Sequence, residues 1–273
     1  MIAIVTDSTS YITRKEAQQL GVHLVPITYT VDGRPFNELH VDQNGAFEQL
    51  IAQGKDLRTA QTPLATFLST FEELRAQGYD ILCITVSSRL SGTYSAASLA
   101  ARELGSEHIF LVDARSVAGG MLELIRSAAS RIQQGHSAQD IADALRAERE
   151  KIGIAFTVSD MGPLRKSGRL RMARASIGTM LNIRPLLRLV DGGVISIGAV
   201  RGRYEMLRHL IDQVPDHARH LIVHHIADEK TAYRLVRELQ ARFPHAPIEV
   251  RPGGPVLAIH LGLGVAGVVW TCE

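Results

Sequence analysis

The stretch ILCITVSSRLSGTYSAASLAAREL, residues 81–104, decides the fold. Its β-branched opening, Ile81 to Val86, reads as a buried strand, SSRLSGT as a polar turn, and the Ala-rich remainder as a helix ending near Leu104. The same order occurs on either side. Upstream, Ile2 to Thr6 leads into DSTS and a helix near Thr13 to Leu20; downstream, Ile109 to Val112 leads into DARSVAGG and a helix near Met121 to Gln134. Strand, polar turn and helix in alternation mark βα units around a largely parallel sheet. Ligands of such open sheets bind beyond the carboxyl ends of the strands, where these turns gather.

Between the first two units, VPITYTVDG reads as a further strand and turn, and Leu64, Phe67, Leu68, Phe71 and Leu74 recur at the spacing of a core-facing helix. Ser137 to Lys151 reads as another helix. From Ile152 the texture changes to short apolar runs at IGIAFTV, VISIGAV, HLIVHHI and PIEVRPGGPVLAIHL, with helical stretches at Glu205 to Val214 and Lys230 to Arg242. The expectation is an α/β protein of two domains, in line with its 273 residues. Residues 1–155 carry a largely parallel sheet flanked by helices, and residues 156–273 a smaller α/β sandwich with a mixed sheet.

Composition excludes several classes. Hydrophobic residues make up 45% and charged residues 21%, which excludes a disordered chain. Aromatics are only 5%, too few for a stacking surface for single-stranded nucleic acid. Cys83 and Cys272 stand far apart and no histidines have metal-ligand spacing, so no metal site is expected. The opening MIAIVTD lacks the pattern of a signal peptide, and no window gives about 18 uninterrupted apolar residues. A cytoplasmic protein without stable membrane insertion is expected.

Four polar turns could carry chemistry. In SSRLSGT, Ser91, Gly92 and Thr93 sit where a helix begins, offering hydroxyls and free N–H groups to a carboxylate or phosphate; plain N-capping is the bland reading. Thr59 and Thr62 precede the Leu64 helix, with Thr62 and Pro63 in cap and first-turn positions. Asp7 to Ser10 form a third turn and Asp113, Arg115 and Ser116 a fourth.

The net charge of +2 hides an asymmetry: Met161 to Tyr204 holds nine basic residues (Arg165, Lys166, Arg169, Arg171, Arg174, Arg184, Arg188, Arg201 and Arg203) against one acid, Asp191. Such a patch suits phosphates or an acidic protein surface, or is simply a solvated face. His260 lies in GGPVLAIHLGLGVAGVV, where it is either a core residue or, beside Gly262 and Gly264, a donor to an anion.

These motifs, in this order, resemble those of the DegV family of fatty-acid-binding proteins, which includes the acyl-binding subunit of bacterial fatty acid kinase. TDSTS, SSRLSGTYSAA, VDARSVAGG, PLRKSGRL, LNIRPLL and HLGLGVAG are similar to six blocks spread nearly end to end. The resemblance implies two α/β domains with a long-chain fatty acid buried in a slot between them, no cofactor, and no catalytic residue. It places the carboxylate on hydroxyls at Thr59 and Ser91. TAQTP departs from the family's TSQPS at Ala60, Thr62 and Pro63, keeping Thr59 and Gln61; HLGLG keeps His260 but has Leu263 in place of proline. Further head-group or phosphate contacts are expected from Thr62, Gly92, Thr93, Arg169, Arg201 and His260. The implied partners are the fatty acid and a separate ATP-dependent fatty acid kinase that makes an acyl phosphate, with at most transient membrane contact and no nucleic acid. The alternative is an enzyme of acyl or phosphoryl transfer, with a Ser nucleophile and His260 as base.

Overall fold

The computed structural model describes residues 1–60, 62–105, 107–172 and 183–272. Gln61 and Arg174 lie outside the described residues. The chain divides into two compact units, 1–45 with 56–150, and 46–55 with 151–273. A single cut between 155 and 156 leaves residues 46–55 with the first unit, whereas this segment clusters with the second.

The first unit begins with β1 (Ile2–Asp7), α1 (Arg14–Leu20), β2 (Val22–Val25), β3 (Thr28–Val31) and β4 (Arg34–Asn37). After α2 (Phe47–Ala52), which belongs to the second unit, come β5 (Leu57–Thr59), α3 (Leu64–Ala76), β6 (Asp80–Thr85), α4 (Thr93–Glu103), β7 (Ile109–Asp113), α5 (Gly119–Gln133) and α6 (Ala138–Glu148). Strands β2, β1, β6 and β7 form a parallel sheet in that order, with Ile4 opposite Val22 and Leu82. A three-stranded antiparallel sheet, β4, β3, β5, is added to the expected architecture.

The helical stripe is core: Phe67, Phe71 and Leu74 of α3 are buried, with Leu64 and Leu68 partly so. They pack with Ala96, Ala97, Ala100 and Ala101 of α4, small side chains that let the two helices approach closely, over Ala3, Val5, Ile81 and Cys83. Helix α1 starts at a capping box in which the Thr13 hydroxyl accepts the Glu16 N–H (3.2 Å) and the Glu16 carboxylate accepts the Thr13 N–H (3.0 Å).

The second unit continues with β8 (Ile152–Thr157), α7 (Gly162–Ser167), β9 (Leu170–Met172), β10 (Ile183–Val190), β11 (Gly193–Arg201), α8 (Arg203–Asp212), β12 (Ala218–Ile226), α9 (Glu229–Arg242), β13 (Ile248–Pro252), α10 (Pro255–Leu261) and β14 (Val265–Cys272). Its sheet is mixed, ordered β13, β12, β14, β8, β10, β11, β9. The apolar run PIEVRPGGPVLAIHL divides into a strand and a helix. Gly253 and Gly254 end β13, Pro255 opens α10 at its first turn, where a missing N–H costs nothing, and the interior strand β14 follows. His260 therefore lies in the last turn of a helix.

Helices α8 and α9 cover one face of this sheet, with Met206, Leu210, Leu235 and Leu239 against Ala155, Leu186, Leu221, Val223, Val268 and Trp270. Trp270 lies flat across β8 because residue 153 is glycine: a Cβ there would stand 2.1 Å from the indole ring. The Arg188 guanidinium sits over the same ring at 5.5 Å. Side chains alternate along strands, so Ile154, Phe156, Leu187, Val194, Ile222 and Val269 point to the opposite face, and none is more than 8% exposed. Among the described residues no helix is long and apolar enough to cross a membrane.

Candidate functional site

In the first unit, three of the four polar turns are laced together around Asp7, at the end of β1. One oxygen of its fully buried carboxylate accepts the Thr9 N–H (3.1 Å) and the Thr9 hydroxyl; the other accepts the Val86 N–H (2.7 Å) after β6. Burial pushes the Asp7 carboxyl upward, against the pull of these hydrogen bonds. The Ala118 N–H donates to the Thr9 carbonyl (2.8 Å) and the Ser87 N–H to the Ser116 carbonyl (2.9 Å), while Asp113 accepts the N–H (3.2 Å) and hydroxyl (2.6 Å) of Ser88. Ser8 donates to the buried Glu38 (2.7 Å) and accepts the Ile27 N–H (3.1 Å), tying the turn to the chain entering β3.

Ser91 stands one residue before Gly92, the N-cap of α4. Its hydroxyl accepts the Thr93 N–H (3.3 Å) and shares a hydrogen bond with the Thr93 hydroxyl (2.8 Å). Either oxygen can donate in that bond, so the pair has one O–H proton left over for a ligand. Ser91 is half-buried and Thr93 fully buried, which shields the pair from competing water. The hydroxyl partner of Ser91 is Thr93.

Thr59 ends β5, half-buried and opposite Tyr29. The N-cap of α3 is Pro63 rather than Thr62, and no side chain caps that helix. The Thr62 hydroxyl is instead buried, at 1% exposure, with no hydrogen-bond partner among the described residues.

In the second unit, Arg169 follows Gly168, whose positive φ of 71° closes α7 and turns the chain into β9. The Arg169 guanidinium donates to the Ser167 carbonyl. Its charge acts on His260, which burial in the first place and Arg169 in the second bring down to a pKa of about 4. His260 is thus neutral at pH 7, a hydrogen-bonding group rather than a cation. Arg201 lies exposed at the end of β11. Of the remaining basic residues, Arg184 donates to the Ser159 hydroxyl (2.6 Å), which donates to the Gly264 carbonyl (3.0 Å). Gly264 has a φ of 75°, and a Cβ there would meet Ser159 Oγ at 2.0 Å, so glycine is required. Among the described residues no cluster of His, Cys, Asp or Glu is arranged to hold a metal ion.

The family model for DegV, described as an uncharacterised protein family, matches residues 1–273. This chain belongs to the DegV family. A DegV domain-containing protein of Halalkalibacterium halodurans, BH3627, is 29% identical to this DegV chain, over 100% of it and 99% of the relative. Among solved structures, a DegV family protein from Thermus thermophilus described by its fatty acid binding aligns with a TM-score of 0.88 and 27% identity, covering 100% of this chain and 99% of that one. DegV of Bacillus subtilis, described as a fatty acid binding protein, aligns with a TM-score of 0.83, also at 27% identity and the same coverage.

Sequence reasoning missed the proton sharing between Ser91 and Thr93 and the second apolar face of the mixed sheet. The S-x-T spacing was a signal for the first. The second was signalled by strands such as IGIAFT, in which both alternating sets are apolar or small.

Proposed function

We propose that this chain binds a long-chain fatty acid and presents its carboxylate to a separate ATP-dependent kinase for acyl phosphate formation. The observation that carries the reading is the Ser91–Thr93 hydroxyl pair with its one spare proton, held in a half-buried turn. A neutral donor orients a carboxylate without neutralising it, leaving an oxygen nucleophilic toward ATP. An ion pair is not needed for affinity: each buried methylene contributes about 0.8 kcal/mol, so a chain of about sixteen carbons supplies ample binding energy by itself. The second face of the mixed sheet is apolar at Phe156, Leu187 and Val269, the composition that a wall for such a chain requires.

In this reading Thr59 and Ser91 hold the carboxylate, and Thr62, Gly92 and Thr93 complete the head-group contacts. Arg169, Arg201 and the neutral His260 serve the phosphate added later, or the kinase surface. The ligand is the fatty acid, with no cofactor, and the group that attacks ATP belongs to it; the chain itself acts as a carrier, not an enzyme.

The likeness to fatty-acid-binding DegV proteins supports the ligand class. The test is reconstitution with a fatty acid kinase protein, ATP and labelled fatty acid. Acyl phosphate should form only when the acid is loaded on this chain, and a Ser91→Ala, Thr59→Val double variant should lower the yield. Equal phosphorylation of free acid without the chain would refute the presenting role.

A further inference from the structure

On the second face of the mixed sheet, cross-strand register sets His224, Gly267, Phe156, Leu187 and Ser196 in one row from β12 to β11. The row ends in an irregularity. Leu186 stands opposite Gly198, but Leu187 stands opposite Ser196, so Ile197 is an extra residue in β11. Regular pairing would have set Ile197 opposite Leu187 on this apolar wall. The bulge expels the isoleucine to 38% exposure and puts a serine in its place. Ser196 is 6% exposed, and its hydroxyl has no hydrogen-bond partner among the described residues.

Both halves of this exchange run against burial energetics, since an apolar group goes to water and a polar one is buried with no partner among the described residues. In this unit Thr157 and Thr231 also carry hydroxyls without partners among the described residues, but Thr157 shares the α8 and α9 side of the sheet and Thr231 is in α9 itself, where the core is closed. Ser196 is on the face that these helices leave.

We propose that Ser196 is a specificity-determining residue, and that the acyl chain this protein selects carries one hydroxyl or keto oxygen along its length, hydrogen-bonded to the Ser196 hydroxyl. The inference rests on the fatty-acid reading above and names its substrate class. A site built to pair a substrate oxygen discriminates against the chain that lacks it, because the buried group is then left unpaired.

The experiment measures dissociation constants of delipidated wild-type protein and of Ser196→Ala for octadecanoic acid and a series of hydroxyoctadecanoic acids differing only in hydroxyl position. In the wild type one position should bind about tenfold tighter than its neighbours, the worth of one well-made hydrogen bond. In Ser196→Ala that preference should vanish, while octadecanoic acid binds as well or better. A flat positional series in the wild type, or a preference that survives in Ser196→Ala, overturns the proposal and leaves fatty-acid binding intact. If neither the plain nor the hydroxylated acids bind, the fatty-acid reading falls and this inference with it. Thermal melts accompany each measurement; Ser196→Ala removes only a hydroxyl that has no partner among the described residues and should melt no lower than the wild type.

Discussion

Replacing Thr62 with valine should move stability and affinity in opposite directions. Thr62 is 1% exposed and its hydroxyl has no partner among the described residues. Valine keeps the shape and exchanges the hydroxyl for a methyl group. A buried, unpaired hydroxyl costs about 1–3 kcal/mol on scales drawn from protein variants. Taking the lower end, Thr62→Val gains about 1 kcal/mol without ligand, which raises the melting temperature by about 2–4 °C in a chain of this size. In the proposed complex the same hydroxyl would donate to the carboxylate, and a hydrogen bond to a charged group is worth about 1.5–3 kcal/mol. Affinity should therefore fall by at least about tenfold. Melts of the delipidated protein read the first effect, and displacement of a fluorescent fatty acid reads the second. A melting temperature several degrees lower would show that the hydroxyl is paired in solution. Unchanged affinity would remove Thr62 from the head-group site.

Three further outcomes follow from the same structure. His260 titrates near 4 in the folded chain against about 6.5 unfolded, so the unfolded state binds more protons between those values and stability falls as pH drops through that window. Urea denaturation from pH 7 to pH 4 should show a loss of up to about 3 kcal/mol from this group, and His260→Gln should remove that share of the slope; His224, held near 3 chiefly by burial, adds its own. Gly153→Ala places a Cβ 2.1 Å from the Trp270 ring and should cost about 1–3 kcal/mol by overpacking. The chain has one tryptophan, so a shifted emission maximum would report the displaced indole directly. Asp7→Asn sets an amide N–H₂ against the N–H groups of Thr9 or Val86 and should cost about 2–4 kcal/mol in urea denaturation; a loss below 0.5 kcal/mol would deny Asp7 its bridging role.

The βα units and the turns after β1, β6 and β7 were legible because their signals are local: a β-branched run, a polar turn and a capping position lie within a few residues. What ties the turns together was not, since the bond from Val86 to Asp7 spans 79 positions. The place of residues 46–55 has the same origin, as Glu48 accepts the N–H of the remote Ala227, just past β12. The helix at VLAIHL was not legible because a short apolar run has no periodicity to separate strand from helix; the Pro255 that opens α10 was the available signal. The Ile197 bulge was hidden for another reason. VISIGAV carries no local sign of a bulge, and only its pairing with β10 shows which of its residues reach the apolar face.

The most direct test of the account is the lipid itself. The protein, purified without added fatty acid, is denatured and extracted, and the extract is quantified by mass spectrometry against the protein. The account predicts a long-chain fatty acid at close to one per chain, falling sharply in the Ser91→Ala, Thr59→Val variant. An extract with no fatty acid, together with no uptake of added fatty acid by the refolded protein, would contradict it.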